Sequence, residues 1–149
     1  MPIGDCCKLD VVCCEAQTSI PEIAALMRAH HVGDVIVVGA GDSARIPLGI
    51  VTDRDIVIEA VARQVDLNLL TAGDIMHAPL TTIRDCDSFA EALQTMRALK
   101  VRRMPVVRED GTLHGIVTAG DIIHILANEL STITGAIAEQ PAAERRSRP

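Results

Sequence analysis

An α/β (α+β) fold built from two copies of one β-α-β-β-α unit is predicted by three features of the sequence. The chain repeats itself: at an offset of 69, "GDCCKLDVVCCEAQTSIPEIAALMRAHHVGDVIVV" (4–38) lies over "GDIMHAPLTTIRDCDSFAEALQTMRALKVRRMPVV" (73–107). After the next loop the offset becomes 66, bringing "GIVTDRD" (49–55) over "GIVTAGD" (115–121). The three extra residues fall in the Gly-containing polar stretch "GAGDSARIPL", where a structural repeat tolerates an insertion. Within each copy, short apolar runs alternate with one stretch of helical period, and 48% hydrophobic content suffices for a core.

Each copy opens on a short strand, "VVCC" or "LTTI". Ser19 and Ser88 then start a helix, with Glu22 and Glu91 three residues on completing a capping box. Ile20, Ile23, Ala24 and Met27, and in the second copy Phe89, Ala92, Leu93 and Met96, recur at i, i+3, i+4, i+7 and mark its buried face. "VIVV" and "MPVV" are strands, returned through a hairpin (Asp110-Gly111 in copy two) to "LGIV" and "HGIV". A second helix leaves from "TDRD" or "TAGD". These elements place the copies at 4–62 and 73–130, joined by a linker at 63–72 and followed by a loosely held tail at 131–149. The second helices, "DIVIEAVA" and "DIIHILANEL", are apolar almost all round, so a face is left to cover, and a two-fold homodimer is expected.

Composition excludes several functions. A net charge of −6 opposes a phosphate-backbone partner, and the basic end "ERRSRP" reads as a solvated, frayed tail. No apolar run is long enough to span a bilayer and "MPIGDCC" lacks a secretory pattern, so a cytoplasmic protein is expected. Five cysteines, an odd number, speak against a disulfide framework, and Cys6-Cys7 and Cys13-Cys14 lack the C-x-x-C spacing of zinc knuckles. His30-His31 reads as a helix C-terminal feature, and "GAGDS" lacks the Lys-Ser/Thr of a phosphate cradle. With no nucleophile-base motif, catalysis, metal and cofactor are not expected. One Phe and no Trp or Tyr mean that a flat ligand would be gripped by aliphatic side chains.

The duplicated "GIVT-x-x-D" admits two readings. Thr52 with Asp55, and Thr118 with Asp121, can cap a helix start; "TAGD" at 71–74, without the preceding "GIV", favours that reading for the tetrapeptide alone. The same geometry suits a nucleotide, with helix amides and the Thr hydroxyl toward phosphate and the Asp toward the sugar's hydroxyls.

From "IPEIAALMRAHHV…VIVV…LGIVTDRDI" and "MHAPLTTI…SFAEALQTMRALKVRRMPVV…DGTLHGIVTAGDII", covering about 4–130, the chain resembles a tandem pair of cystathionine beta-synthase (CBS) domains. The resemblance implies two pseudo-symmetric repeats packed sheet to sheet, dimerising and acting as a sensor of adenosine-containing ligands: AMP, ADP, ATP, sometimes NAD or S-adenosylmethionine. It implies a first cleft of Ile50, Thr52, Arg54 and Asp55 facing Thr81, Val101, Arg102 and Arg103. A second would be formed by Ile116, Thr118 and Asp121 facing Val12, Val32 and Gly33. The second has Ala119 and Gly120 beside its helix start and Val12 in place of Thr81, and copy one has Ile36 where the family's Pro stands at 105. The Asp55 cleft is therefore expected to bind more tightly. The alternative is a ligand-free interaction dimer that retains only the fold.

Overall fold

A computed structural model describes residues 2–41 and 45–147, with side chains to residue 138; the middle of the inserted loop, 42–44, lies outside it. Two three-stranded sheets stand for the two copies. The first orders β1 (Cys13–Glu15), β2 (Asp34–Val38) and β3 (Pro47–Thr52), with β1 parallel and β3 antiparallel to the central β2. Between β1 and β2 runs α1 (Ile20–His30), whose Glu22 carboxylate accepts from the Ser19 amide at 2.9 Å and hydroxyl at 2.6 Å. It ends on His31 in the left-handed region (φ 54°), so the paired histidines do close a helix.

The second sheet repeats the plan with β4 (Ile83–Arg84), β5 (Arg103–Val107) and β6 (Leu113–Thr118), and with α4 (Phe89–Leu99) in the place of α1. One residue accounts for the brevity of β4. In copy one the Ile36 amide donates to Val12 at 3.0 Å; the corresponding residue of β5 is Pro105, which has no N–H, so the chain before Ile83 runs unpaired to β5.

Each copy ends differently. α2 (Asp53–Asp55) passes at once into a π-helical stretch, Ile56–Val61, and a 3-10 turn, Leu67–Leu69, leads to α3 (Ala72–Ile75). α5 instead runs unbroken from Ala119 to Ser147, well past the second-copy boundary read from the sequence, taking most of the expected tail into one helix. Residues 148 and 149 lie outside the described chain.

Packing makes three apolar cores. One joins α1 to its sheet through Ile20, Ile23, Met27, Val35, Val37 and Val51. A second joins α4 to its sheet through Ala92, Met96, Met104, Val106 and Val117, with the single Phe at its margin. The third lies between the sheets, where Ile36, Val38 and Ile50 meet Leu113 and Ile116; burying each such side chain stabilises by about 1.5–3 kcal/mol. The opening segments are exchanged. Ile3, fully buried, belongs to the core of copy two, its amide bonded to Asp87, while Ala72 and Ile75 belong to the core of copy one, with the Ala72 amide bonded to Thr18.

Candidate functional site

Where β3 hands over to α2, the extended Thr52 turns its amide and hydroxyl onto Asp55 Oδ2, at 2.8 and 2.7 Å, and accepts the Asp55 amide at 3.2 Å. The capping reading of this stretch is therefore realised. It recurs at Thr118–Asp121 (3.0 and 2.6 Å) and at Thr71–Asp74 (2.8 and 2.9 Å). In all three the carboxylate uses a single oxygen, Oδ2. At Asp55 the other, Oδ1, lies 2.8 Å from Nε2 of His77. Burial pushes the Asp55 carboxyl up, but the Thr52 hydroxyl and amide, and then His77, outweigh it and hold the group below the usual carboxylate range.

His77 arrives from the other copy because its backbone pairs with Ile50, the His77 amide donating to the Ile50 carbonyl at 2.9 Å and the Ile50 amide returning a bond of 3.3 Å. The segment that follows, Pro79–Leu80–Thr81, is the stretch left free of β5 by Pro105, and with it Val101, Arg102 and Arg103 close the far wall. The result is a cavity of about 420 Å³. All eight residues assigned to the first cleft from the sequence line it: Ile50, Thr52, Arg54, Asp55, Thr81, Val101, Arg102 and Arg103. Asp53, His77, Pro79 and Leu80 complete the lining and were not singled out. In the self-comparison His77 aligns with Lys8, which by itself does not assign it to a cleft.

The cations of this cavity are not equivalent. Arg103 is ion-paired with Asp34, its own counterpart in the repeat, across the junction of the copies. Arg54 and Arg102 make no side-chain hydrogen bond or ion pair with the described residues, and their charges are available to an anion. The walls between them, Ile50, Leu80, Pro79 and Val101, are aliphatic.

The second set of residues is arranged differently. Ile116, Thr118 and Asp121 repeat the strand end and cap, but Lys8 Nζ sits 2.9 Å from Asp121 Oδ1, and Val12 and Val32 pack against the core of copy one. Gly33 faces Asp53, to whose amide its carbonyl is bonded. Burial raises the Asp121 carboxyl, and the Thr118 hydroxyl and Lys8 more than offset this. A further cavity of about 330 Å³, lined by Pro2, Gly4, Asp5, Asp85, Cys86 and His114, includes none of these residues.

Among the described residues no three His, Cys, Asp or Glu side chains gather as a metal-holding group, and no helix is long and apolar enough to cross a membrane. Burial pushes the Cys14 thiol up to about 11, with Cys13 adding to it, and raises Cys6 and Cys7 as well, which disfavours the nucleophilic thiolate at those positions.

The profile of the CBS domain family matches residues 3–61 and again 72–128. The chain belongs to the CBS domain family. Hypoxic response protein 1 of Mycobacterium tuberculosis is 35% identical over 118 residues, 79% of this chain and 80% of that one. An uncharacterized protein of Methanopyrus kandleri is 34% identical over 131 residues, 88% of this chain, which spans 65% of that relative's length. Among solved structures, a CBS domain protein of Pyrobaculum aerophilum complexed with AMP superposes with a TM-score of 0.76 at 28% identity, covering 89% of this chain and 99% of its own. Hypoxic Response Protein I, solved with two coordinated zinc ions, gives 0.73 at 33%, covering 83% and 98%. The mixed α/β architecture of two three-stranded sheets is thus that of a CBS pair.

Proposed function

We propose that this CBS pair is a non-catalytic regulatory module that takes up an adenosine-containing ligand, AMP, ADP, ATP, NAD or S-adenosylmethionine, in the Asp55 cleft. One observation carries the reading: residues from both copies line one cavity in which aliphatic side chains, the Asp55 carboxylate, and Arg54 and Arg102, which have no ion pair among the described residues, come together. Asp55 Oδ1 suits ribose hydroxyls, Arg54 and Arg102 suit phosphate, and Ile50, Leu80 and Val101 grip the base. The volume falls within the ~300–1,000 Å³ of small-ligand sites. The AMP bound by the Pyrobaculum relative supports the ligand class.

Because the cleft is made by both copies, a ligand in it biases their arrangement by its differential affinity for the alternatives. The exposed apolar side chains of the second helices, Val57 and Val61 on one and Ile123, Leu126 and Leu130 on the other, support a homodimer as the body that transmits the bias. The cytoplasm is the setting proposed. Thermal melting with each nucleotide tests the reading: a ligand at 100 times its dissociation constant adds about 2.7 kcal/mol. No shift with any of the five would favour the second reading, a ligand-free interaction module, for which the existing His77–Asp55 and Lys8–Asp121 pairs argue. Native mass spectrometry, a separate measurement, reports retained ligand mass and subunit number together.

A further inference from the structure

Position 77 lies 69 residues after Lys8, so the two hold the same place in their copies. Each pairs by its backbone with the returning strand of the opposite copy, His77 with Ile50 and Lys8 with Ile116. Each also lays its polar end on the carboxylate of that copy, His77 Nε2 on Asp55 Oδ1 and Lys8 Nζ on Asp121 Oδ1. The threonine cap already occupies Oδ2 on both carboxylates. Oδ1 is thus the oxygen left for a ligand, and a residue of the opposite copy is bonded to it.

We propose that His77 is the ligand's internal competitor in the Asp55 cleft: it holds Oδ1 in the empty site and must release it to a ribose, and protonation of the imidazole tightens its hold. Nucleotide affinity then falls toward acid pH. The inference rests on the nucleotide reading above. Geometry permits the exchange, because the His77 side chain is 70% exposed at the rim whereas Asp55 is 13% exposed behind it. The charged groups that line the cavity with His77 are Asp53, Arg54 and Asp55 of α2, Arg102 just before β5 and Arg103 at its first position, with Arg103 paired to Asp34. Arginines and carboxylates ordinarily keep their charge between pH 5.5 and 8, and histidine is the side chain that changes. Lysine also keeps its charge through that range, so the corresponding hold on Asp121 is not relieved by raising pH.

Calorimetric titration of AMP into wild type, His77→Ala and His77→Gln at pH 5.5 and pH 8 tests this. AMP's own phosphate changes charge over that range, so the readout is the ratio of each variant to wild type at each pH. His77→Ala should bind AMP about fivefold more tightly than wild type at pH 5.5, narrowing to within about twofold at pH 8. His77→Gln, a neutral donor at both, should change its ratio to His77→Ala by less than about twofold between them. Equal affinities of wild type and His77→Ala at both pH values, or weaker binding by His77→Ala at pH 5.5, would overturn the competitor role and leave the nucleotide reading standing. Absence of AMP binding by all three proteins, together with no binding of the other adenosine ligands, would overturn the nucleotide reading and this inference with it.

Discussion

At the mouth of the Asp55 cleft stand Arg54 and Arg102; at the corresponding places of the Asp121 mouth stand Gly120 and Gly33. The caps themselves are superimposable in pattern, each threonine donating twice to one carboxylate oxygen. Duplication has kept what the strand-to-helix turn needs and changed what a ligand would meet beside it. The cap is therefore poor evidence for binding, and its flanks are better evidence. The same contrast extends to Thr81 and Val12: the former lies in the stretch that Pro105 leaves unpaired to β5, while the latter accepts a strand hydrogen bond and packs into a core.

The largest effect should separate the two carboxylates. Asp55→Asn keeps an acceptor for the Thr52 cap but loses the charge, and it should weaken AMP binding by about ten- to a hundredfold, whereas Asp121→Asn should change it by less than about twofold. Calorimetric titration of both variants reads the difference, and equal losses would mean that the two mouths are alike. Next, Arg54→Ala should cost about fivefold to tenfold in ATP affinity and little for adenosine, which lacks the phosphates; equal losses for both ligands would remove Arg54 from phosphate contact.

A smaller gain is expected on the other side. Lys8→Ala frees Asp121 Oδ1 and should raise occupancy of a second site by about threefold, seen as a second ligand mass in native mass spectrometry; unchanged stoichiometry would place the weakness in the missing arginines instead. The smallest contrast concerns acid. Asp55 and Asp121 both titrate below the usual carboxylate range when folded, so each binds fewer protons folded than unfolded. Their contribution to stability is complete above that range and is lost as pH falls through about 4 and below. Scanning calorimetry at pH 5 and pH 3 should show a falling melting temperature, with Asp55→Asn and Asp121→Asn each flattening the fall to a similar degree.

Much of this was legible in the sequence because a repeat supplies its own comparison. Ser19 with Glu22, the 3.6-residue spacing of Ile20, Ile23 and Met27, and the paired "GIVT" strands announced elements whose signals lie within a few neighbouring residues. The lining of the first cavity was legible for a different reason: the family resemblance assigned residues from both copies to one cleft, which no periodicity does. What stayed hidden was long-range. Arg103 reads as an anion ligand until Asp34 is seen across the junction, because a charge's partner depends on how the sheets meet. The alignment of His77 with Lys8 was visible, yet only the pairing of each with the opposite copy's returning strand gives it meaning. The tail expected at 131–149 is instead mostly the continuation of α5, within which Thr132 and Thr134 bond back to carbonyls four residues earlier.

The exchanged opening segments have a bearing on how such a chain can be divided. Cutting between the copies would strand Ile3 with the wrong fragment and leave the first fragment without Ala72 and Ile75. Neither half would inherit a complete interior, so co-expressed fragments should recover structure only by finding each other. The unit that the sequence repeats is in this way smaller than the unit that can fold.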